Sequence, residues 1–285
     1  MIRDAVHPVV DRVFDLAENP LWDDQRGVYL WTDITAGQVW EYDHSTGALR
    51  CRYEGPPVGG FTMQADGSLL LFRVDDIAVL DRDDTVRIVT VFNDDRAVRF
   101  NDVIAAPDGS VLAGTIGRDD HSGGVYHVAH DGTLQPLFHG TGISNGMGFS
   151  PDLRSWYWTC STSREIRQFD YDLDGGVVRV DSARRIWTAG PDEPEPIVPD
   201  GLTVDAEGRL FSARWEGSAV VCHDPNGQIV DRIDIPTPKV TSMTFGGPDL
   251  DEMLITTARG PVYRCRPGAH GRQEFRSQID AVSDR

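Results

Sequence analysis

The sequence predicts an all-β protein, a six-bladed β-propeller built from four-stranded antiparallel blades, and three observations predict it. Short runs rich in aromatic and β-branched residues recur about every 40 residues. Each is preceded by a second apolar run that closes in a turn at a constant distance from its first residue. No helical periodicity of useful length occurs anywhere in the 285 residues.

The inner run of each repeat is fixed by its turn. Counting seven residues from Gly59, Asn101, Asn145, Asp200 and Ser242 lands on Asp66, Asp108, Asp152, Glu207 and Asp249. The same count from Glu18 lands on Gln25, within a stretch of turn-forming residues at 23–27. A second strand follows each turn: VYLWTD at 28–33, SLLLFRV at 68–74, SVLAGTI at 110–116, WYWTCS at 156–161, RLFSARW at 209–215 and EMLITTA at 252–258. Third runs open near Gly37, Asp76, Gly123, Arg164, Gly217 and Gly260, alternate apolar with polar and end in Asp, Asn or Gly, as hairpins do. Outer strands are expected at 48–53, 85–92 and 229–235.

Six units result, at 18–55, 56–96, 97–141, 142–195, 196–238 and 239–279, within one domain spanning 1–285. The fourth is the longest, swollen by the acidic, proline-rich stretch TAGPDEPEPIVP at 188–199. The leftover VVDRVFDL at 9–16 is expected to supply the outer strand of the sixth blade, closing the ring and covering its edge.

Composition removes several function classes. The formal charge is −18, with nothing basic and clustered to neutralise phosphates, so no nucleic-acid partner is expected. Aspartate (35) far outnumbers glutamate (10), and Lys239 is the only lysine among 27 basic residues. Such a bias fits a salt-adapted surface or a GC-rich genome equally and concerns solubility, not chemistry. No apolar run is long enough to span a membrane, and the first residues lack a signal-peptide core, so a cytoplasmic protein without a membrane partner is expected. Cys51, Cys160, Cys222 and Cys265 are scattered without a close pair, as free thiols would be.

In a propeller the first residues of all inner strands surround one mouth of the central channel. The six occupants here are Glu18, Gly59, Asn101, Asn145, Asp200 and Ser242. Two carboxylates and two carboxamides offer oxygen donors without a thiolate, which suits a divalent cation such as Ca2+, Mg2+ or Mn2+. The small residues Gly59 and Ser242 are expected to leave the mouth open on one side. Taken singly, Asn145-Gly146 and Asp200-Gly201 are ordinary turn formers; the shared register is what marks them.

The same residues carry a resemblance. AENPLW at 17–22, RFND at 99–102, GISNGMGFS at 142–150, PDGLTVDAEGRLFSA at 199–213 and FGGPDLDEMLITTAR at 245–259 resemble the senescence marker protein / gluconolactonase / luciferin-regenerating family, which includes regucalcin and bacterial sugar lactonases. The resemblance runs through nearly the whole chain in order and implies a six-bladed propeller. It implies one divalent metal ion held by Glu18, Asn145 and Asp200, with Ca2+ favoured and Zn2+, Mn2+, Mg2+ or Fe2+ also accommodated. It further implies substrate contacts from Arg99 and Asn101. Two departures bear on the substrate: Cys160 stands where the family often has an aspartate, and the segment 115–126 is shorter than in vertebrate members.

The activity so implied is hydrolysis of a small-molecule sugar lactone to the aldonic acid. A cation polarises the carbonyl and acidifies water, Asp200 doubles as general base, and Arg99 and Asn101 hydrogen-bond sugar hydroxyls or the developing oxyanion. His121 lies in a loop expected to overhang the mouth and is a further candidate substrate contact. Ser144 and Ser161 lack a nucleophile-elbow context. A calcium-dependent phosphotriesterase or arylesterase, and a non-catalytic metal- or ligand-binding propeller, are the alternatives.

Overall fold

A computed structural model describes residues 4–280, and these contain twenty-four strands and no helix. The chain opens with β1 (His7–Pro8), β2 (Phe14–Asp23), β3 (Val28–Asp33), β4 (Gln38–Asp43) and β5 (Leu49–Glu54). Next come β6 (Val58–Met63), β7 (Leu69–Arg73), β8 (Asp76–Leu80) and β9 (Val86–Val91), then β10 (Ala97–Ala105), β11 (Val111–Gly117), β12 (Gly123–Val128) and β13 (Leu134–Thr141). The second half holds β14 (Ser144–Phe149), β15 (Ser155–Cys160), β16 (Glu165–Asp172) and β17 (Val177–Thr188), followed by β18 (Val198–Val204), β19 (Leu210–Trp215), β20 (Ala219–His223) and β21 (Ile229–Asp234). The series ends with β22 (Val240–Gly246), β23 (Glu252–Gly260) and β24 (Tyr263–Cys265).

Strands β6–β9, β10–β13, β14–β17 and β18–β21 each form an antiparallel sheet in chain order. The remaining eight share one sheet because β2 pairs on both sides. Its first residues, Phe14 and Leu16, face Gly260 and Ala258 of β23, and its later ones pair with β3. The innermost strands β2, β6, β10, β14, β18 and β22 touch in that order, and β22 touches β2 again. The elements therefore close on themselves.

Apolar burial explains the closure. Six buried clusters each straddle two successive groups of strands. One joins Leu30 and Val39 to Phe61 and Leu71; another joins Leu254 and Val262 to Phe14, Trp31 and Trp40, so the last repeat is sealed against the first. Inner strands are buried on both faces, which is why β14, β15 and β22 read as continuous small or apolar runs. Outer strands such as β21 (IVDRID) keep one face in solvent. The aspartates counted from the sequence close the turns: Asp66 and Asp108 each accept from the backbone N–H and hydroxyl of the serine two residues on. Cys160, Cys222 and Cys265 are buried and Cys51 is half-buried.

Two terminal features differ from expectation. The segment 9–16 is not the outer strand of the last repeat. That edge is covered by His7 and Pro8, paired with Arg264 and Tyr263, while Phe14 and Leu16 extend the second strand's ladder instead. Beyond Cys265 the described residues form no further strand of a repeat. The chain crosses the turn end of the channel as a strap, bonded in succession to Ala206, Leu250, Ser150, Met63, Gly109 and His130. Ile279 is buried, and its backbone exchanges two hydrogen bonds with the Gln64 side chain. The strap thus ties turns from several repeats together, from a stretch with no periodicity to announce it.

Removing residues 272 onward should lower the melting temperature by about 5 °C or more. Uncovering one or two large apolar side chains costs roughly 1.5–3 kcal/mol each, and a chain of this size loses about 2–4 °C per kcal/mol. Calorimetry on the truncated and full chains checks it; an unchanged melting temperature would show the strap to be a passenger.

Candidate metal centre

Every inner strand carries one extra residue at the same height. In β2 the ladder steps from Glu18↔Thr32 to Leu21↔Leu30, in β10 from Phe100↔Thr115 to Val103↔Ala113, and in β18 from Pro199↔Arg214 to Leu202↔Ser212. The same slip follows Val58, Asn145 and Val240. Such a bulge bends the strand and re-aims a side chain that regular alternation would send into the neighbouring sheet. It needs small residues where backbones converge. A Cβ on Gly59 would sit 2.1 Å from the Phe100 carbonyl oxygen, and one on Gly201 2.2 Å from Ser242 Oγ. Gly59 is therefore small so that the next strand can approach, not to hold open the mouth as the sequence suggested.

The bulges bring Glu18, Asn145 and Asp200 together. The Asn145 amide nitrogen donates to Asp200 Oδ1 and, at 3.1 Å, to Ser161 Oγ. Ser161 in turn donates to the Pro199 carbonyl at 2.7 Å. With its nitrogen so occupied, the amide oxygen of Asn145 is left for another partner. Burial pushes the Glu18 carboxyl well above its ordinary range, helped by the charges of Asp200 and Asp102 and opposed by the Asn19 N–H and Arg99. Burial likewise raises Asp200, with Asp102 adding to it and the Asn145 bond and Arg99 opposing. Two carboxylates held together in a poorly solvated place, with one guanidinium facing both, lack positive charge. A hard divalent cation fits that deficit and the all-oxygen donor set, with solvent completing its shell. Among the described residues no three His, Cys, Asp or Glu side chains gather at one point, so such a site rests on two carboxylates and an amide.

Arg99 and Asn101 stand beside this group. Arg99 donates to the Phe100 carbonyl and to Asn101 Oδ1, both at 2.8 Å, and Asn101 Nδ2 donates to the Ser144 carbonyl at 2.9 Å. Asn101 thereby ties β10 to β14 and keeps one hydrogen and one lone pair for a ligand. Burial lowers the Arg99 pKa, against the pull of Glu18 and Asp200. His121 is not brought into this group: it is exposed in the β11–β12 loop, where its backbone N–H donates to Asp119 Oδ1 at 2.9 Å.

The sequence reading missed what lies deeper. A cavity of about 70 Å3 is lined by all six inner strands and by the strap, with Asn19, Asp102, Ser242, Arg272 and Glu274 among its walls. Asp102 was in view within RFND but has no equivalent in the register argument; Glu274 sits in the aperiodic strap and gave no signal. Burial pushes Asp102 up to about 7, with Glu274 adding to it. Burial also pushes Glu274 up to about 7, with Arg272 opposing. Asn19, at a φ of 47°, accepts the Phe61 N–H at 2.5 Å and locks β2 to β6 below Glu18.

Raised carboxyl pKa values mean that the folded chain binds more protons than the unfolded chain above the ordinary carboxyl range. Metal-free protein should therefore lose stability as pH rises from about 5 to about 8. Thermal melts across that window check it. The slope should shrink in Asp102→Asn or Glu274→Gln, and a stability that rises with pH would contradict it.

Comparison with known proteins gives the family of the chain. The profile of the SMP-30/Gluconolactonase/LRE-like region matches residues 16–259. A pentonolactonase of Haloferax volcanii is 40% identical over 297 residues, covering 96% of this chain and 99% of its own. Human regucalcin is 31% identical over 252 residues, covering 85% of this chain and 83% of its own. Among solved structures, a luciferin-regenerating enzyme superposes with a TM-score of 0.89 at 24% identity, covering 96% of this chain and 99% of that one. A calcium-binding protein, regucalcin from Agrobacterium tumefaciens, gives 0.90 at 24% identity, covering 96% and 98%. The chain belongs to the SMP-30/gluconolactonase/LRE-like family.

Proposed function

We propose that this protein is a lactonase that hydrolyses a sugar lactone to its aldonic acid with one divalent cation, on a single-domain propeller of six blades. The observation that carries the reading is the convergence of Glu18, Asn145 and Asp200 from equivalent bulges of three inner strands, with Arg99 beside both carboxylates. The relatives named pentonolactonase and regucalcin, and the structure of a Xanthomonas campestris gluconolactonase at a TM-score of 0.77, support it. The eight-stranded sheet then counts as the first and last blades fused through β2, with β1 as outer strand of the last.

Glu18, Asn145 and Asp200 would hold the cation, Ca2+ favoured. Bound there, it supplies Lewis acidity that polarises the lactone carbonyl and makes water easier to deprotonate. Asp200 takes the proton from the attacking water as the new C–O bond forms. Collapse of the tetrahedral carbon breaks the ring C–O bond, and the same proton passes from Asp200 to the departing alkoxide. Arg99 donates to the developing oxyanion, and Asn101, steadied by Ser144, offers its remaining N–H to a substrate hydroxyl. Glu18 carries charge but no proton transfer. Ser161 orients Asn145 and does not act as nucleophile.

Proton release, followed by titration with base on glucono-, xylono- and arabinonolactone, should be abolished by a chelator and restored by adding the cation back. Undiminished rates in protein shown to be metal-free would sink the mechanism. Asp200→Asn should lower kcat by at least about 100-fold, the usual worth of a general base, while the circular dichroism of the fold persists. Glu18→Gln should weaken cation binding in a direct titration more than it lowers kcat at saturating cation. Turnover of a phosphotriester or aryl ester in preference to every lactone would move the protein to that class.

A further inference from the structure

The acidic, proline-rich segment between β17 and β18 takes no part in the chemistry above, yet it is heavily anchored. The ladder Ser144↔Cys160, Cys160↔Glu165, Glu165↔Thr188 places its start at the mouth end of the channel. It enters β18 at Val198, two residues before Asp200, and no other connection at that end is as long. Its prolines 191, 194 and 196, and Asp192 and Glu195, are exposed. Glu193 is turned inward, with 8% of its surface accessible.

What Glu193 meets is a guanidinium with no exposed surface. Arg214 Nε donates to both carboxylate oxygens of Glu193, at 2.9 and 2.8 Å. The same guanidinium donates to Ser212 Oγ at 2.7 Å, reaches His223 Nε2 at 3.0 Å and lies 4.4 Å from the centre of the Trp187 ring. His223 Nδ1 is 3.1 Å from the Gly227 carbonyl, so the neutral ring with its hydrogen on Nδ1 satisfies both contacts. From the other side Arg164 donates to the carbonyls of Glu193 and Ile197. The segment is therefore clamped at its centre and at its exit into β18. A buried ion pair is a poor way to add stability, because desolvation offsets the attraction; its best use is to impose one geometry.

We propose that residues 189–197 form a fixed wall of the substrate pocket, and that Glu193, Arg214 and Arg164 are positioning residues that set which neutral lactone fits beside Asp200. The proposal rests on the lactonase reading of the mouth. A pentonolactone and a hexonolactone differ by one hydroxyl-bearing carbon, and a wall held in one place discriminates by such a group. A wall released from its clamp does not.

The test compares the metal-loaded wild type with Glu193→Gln and Arg214→Lys, measuring kcat and KM on xylonolactone and gluconolactone and amide hydrogen exchange across 189–197. The expected result is at least a tenfold rise in loop exchange in Glu193→Gln, with the ratio of kcat/KM between the two lactones shifted at least fivefold, mostly through KM. Arg214→Lys keeps the charge without the guanidinium's bonds to Ser212 and His223 and should be milder in both. Unchanged loop exchange, or raised exchange with an unchanged lactone ratio, overturns the proposal; a lowered melting temperature alone counts as the latter. A wild type inert toward every lactone sinks the lactonase reading and takes the wall's substrate with it. An active wild type whose variants keep the ratio sinks the wall alone.

Discussion

One constraint governs the mouth of this protein: each innermost strand must carry an extra residue at the point where six strands crowd together. A regular strand buried on both faces sends successive side chains alternately into the two neighbouring sheets, where Leu, Phe and Trp satisfy them. A carboxylate placed there would be stranded. The bulge supplies the exception. At Glu18, Asn101–Asp102, Asn145 and Asp200–Gly201 the ladder skips, and polar groups turn toward the channel while the apolar clusters on either side continue uninterrupted. The polar side chains released this way also bind the ring: Asn19 reaches β6, Asn101 reaches β14, Asn145 reaches β18, and the Thr241 hydroxyl donates to the Ala17 carbonyl at 2.6 Å. The candidate chemistry and the closure of the fold use the same atoms.

The electrostatic consequence follows from crowding like charges in a desolvated place. Glu18, Asp200, Asp102 and Glu274 lie along one channel, with Arg99 and Arg272 as the guanidiniums facing them. Four acids against two bases leave the equivalent of two negative charges when all are ionised, which is the charge a single divalent cation neutralises. Burial is the first cause of the raised carboxyl pKa values, and at Glu18, Asp200 and Asp102 the neighbouring negative charges add to it. The deeper pair has the strap behind it, so the acids nearest the cavity are cut off from bulk solvent on the turn side. A channel open at both ends would hydrate these groups and bring them back toward ordinary behaviour.

Much of this was legible in the sequence, for reasons that can be named. The repeat of turn residues such as Asp66, Asp108 and Asp152 is a local signal, because an Asx turn is made by residues two apart. Counting back from them placed Glu18, Asn145 and Asp200 at one height, and the structure puts them together. What failed was whatever depended on packing between repeats. Gly59 looked like an opening, but it is small because the Phe100 carbonyl occupies its place. His121 looked near the mouth because its loop is, yet the side chain is exposed and apart. The segment 9–16 has strand-like alternation throughout, and nothing local says that Pro8 will take the edge while Phe14 and Leu16 continue an inner ladder. The strap and Glu274 were invisible because their contacts are long-range and aperiodic.

The division of labour between strands and loops explains why the acidic segment is clamped so expensively. The groups proposed to perform the chemistry sit on inner strands, each held by the ladder to its second strand and by side-chain bonds to the next inner strand, as from Asn101 to Ser144. On the proposed lactonase reading, selection among substrates falls to the connections at the mouth, which have no ladder of their own. Most of those connections are two to five residues long and are rigid because they are short. The stretch 189–197 is not short, and left to itself it would sample many conformations above Asp200. Burying Arg214 beneath it, and reaching up with Arg164, gives a long loop the constancy of a short one while its outer face stays free to differ. Hydrophobic anchoring is indifferent to small displacements, whereas the Glu193 carboxylate meets the Arg214 Nε–H with both oxygens and the rest of the guanidinium is itself fixed by Ser212 and His223.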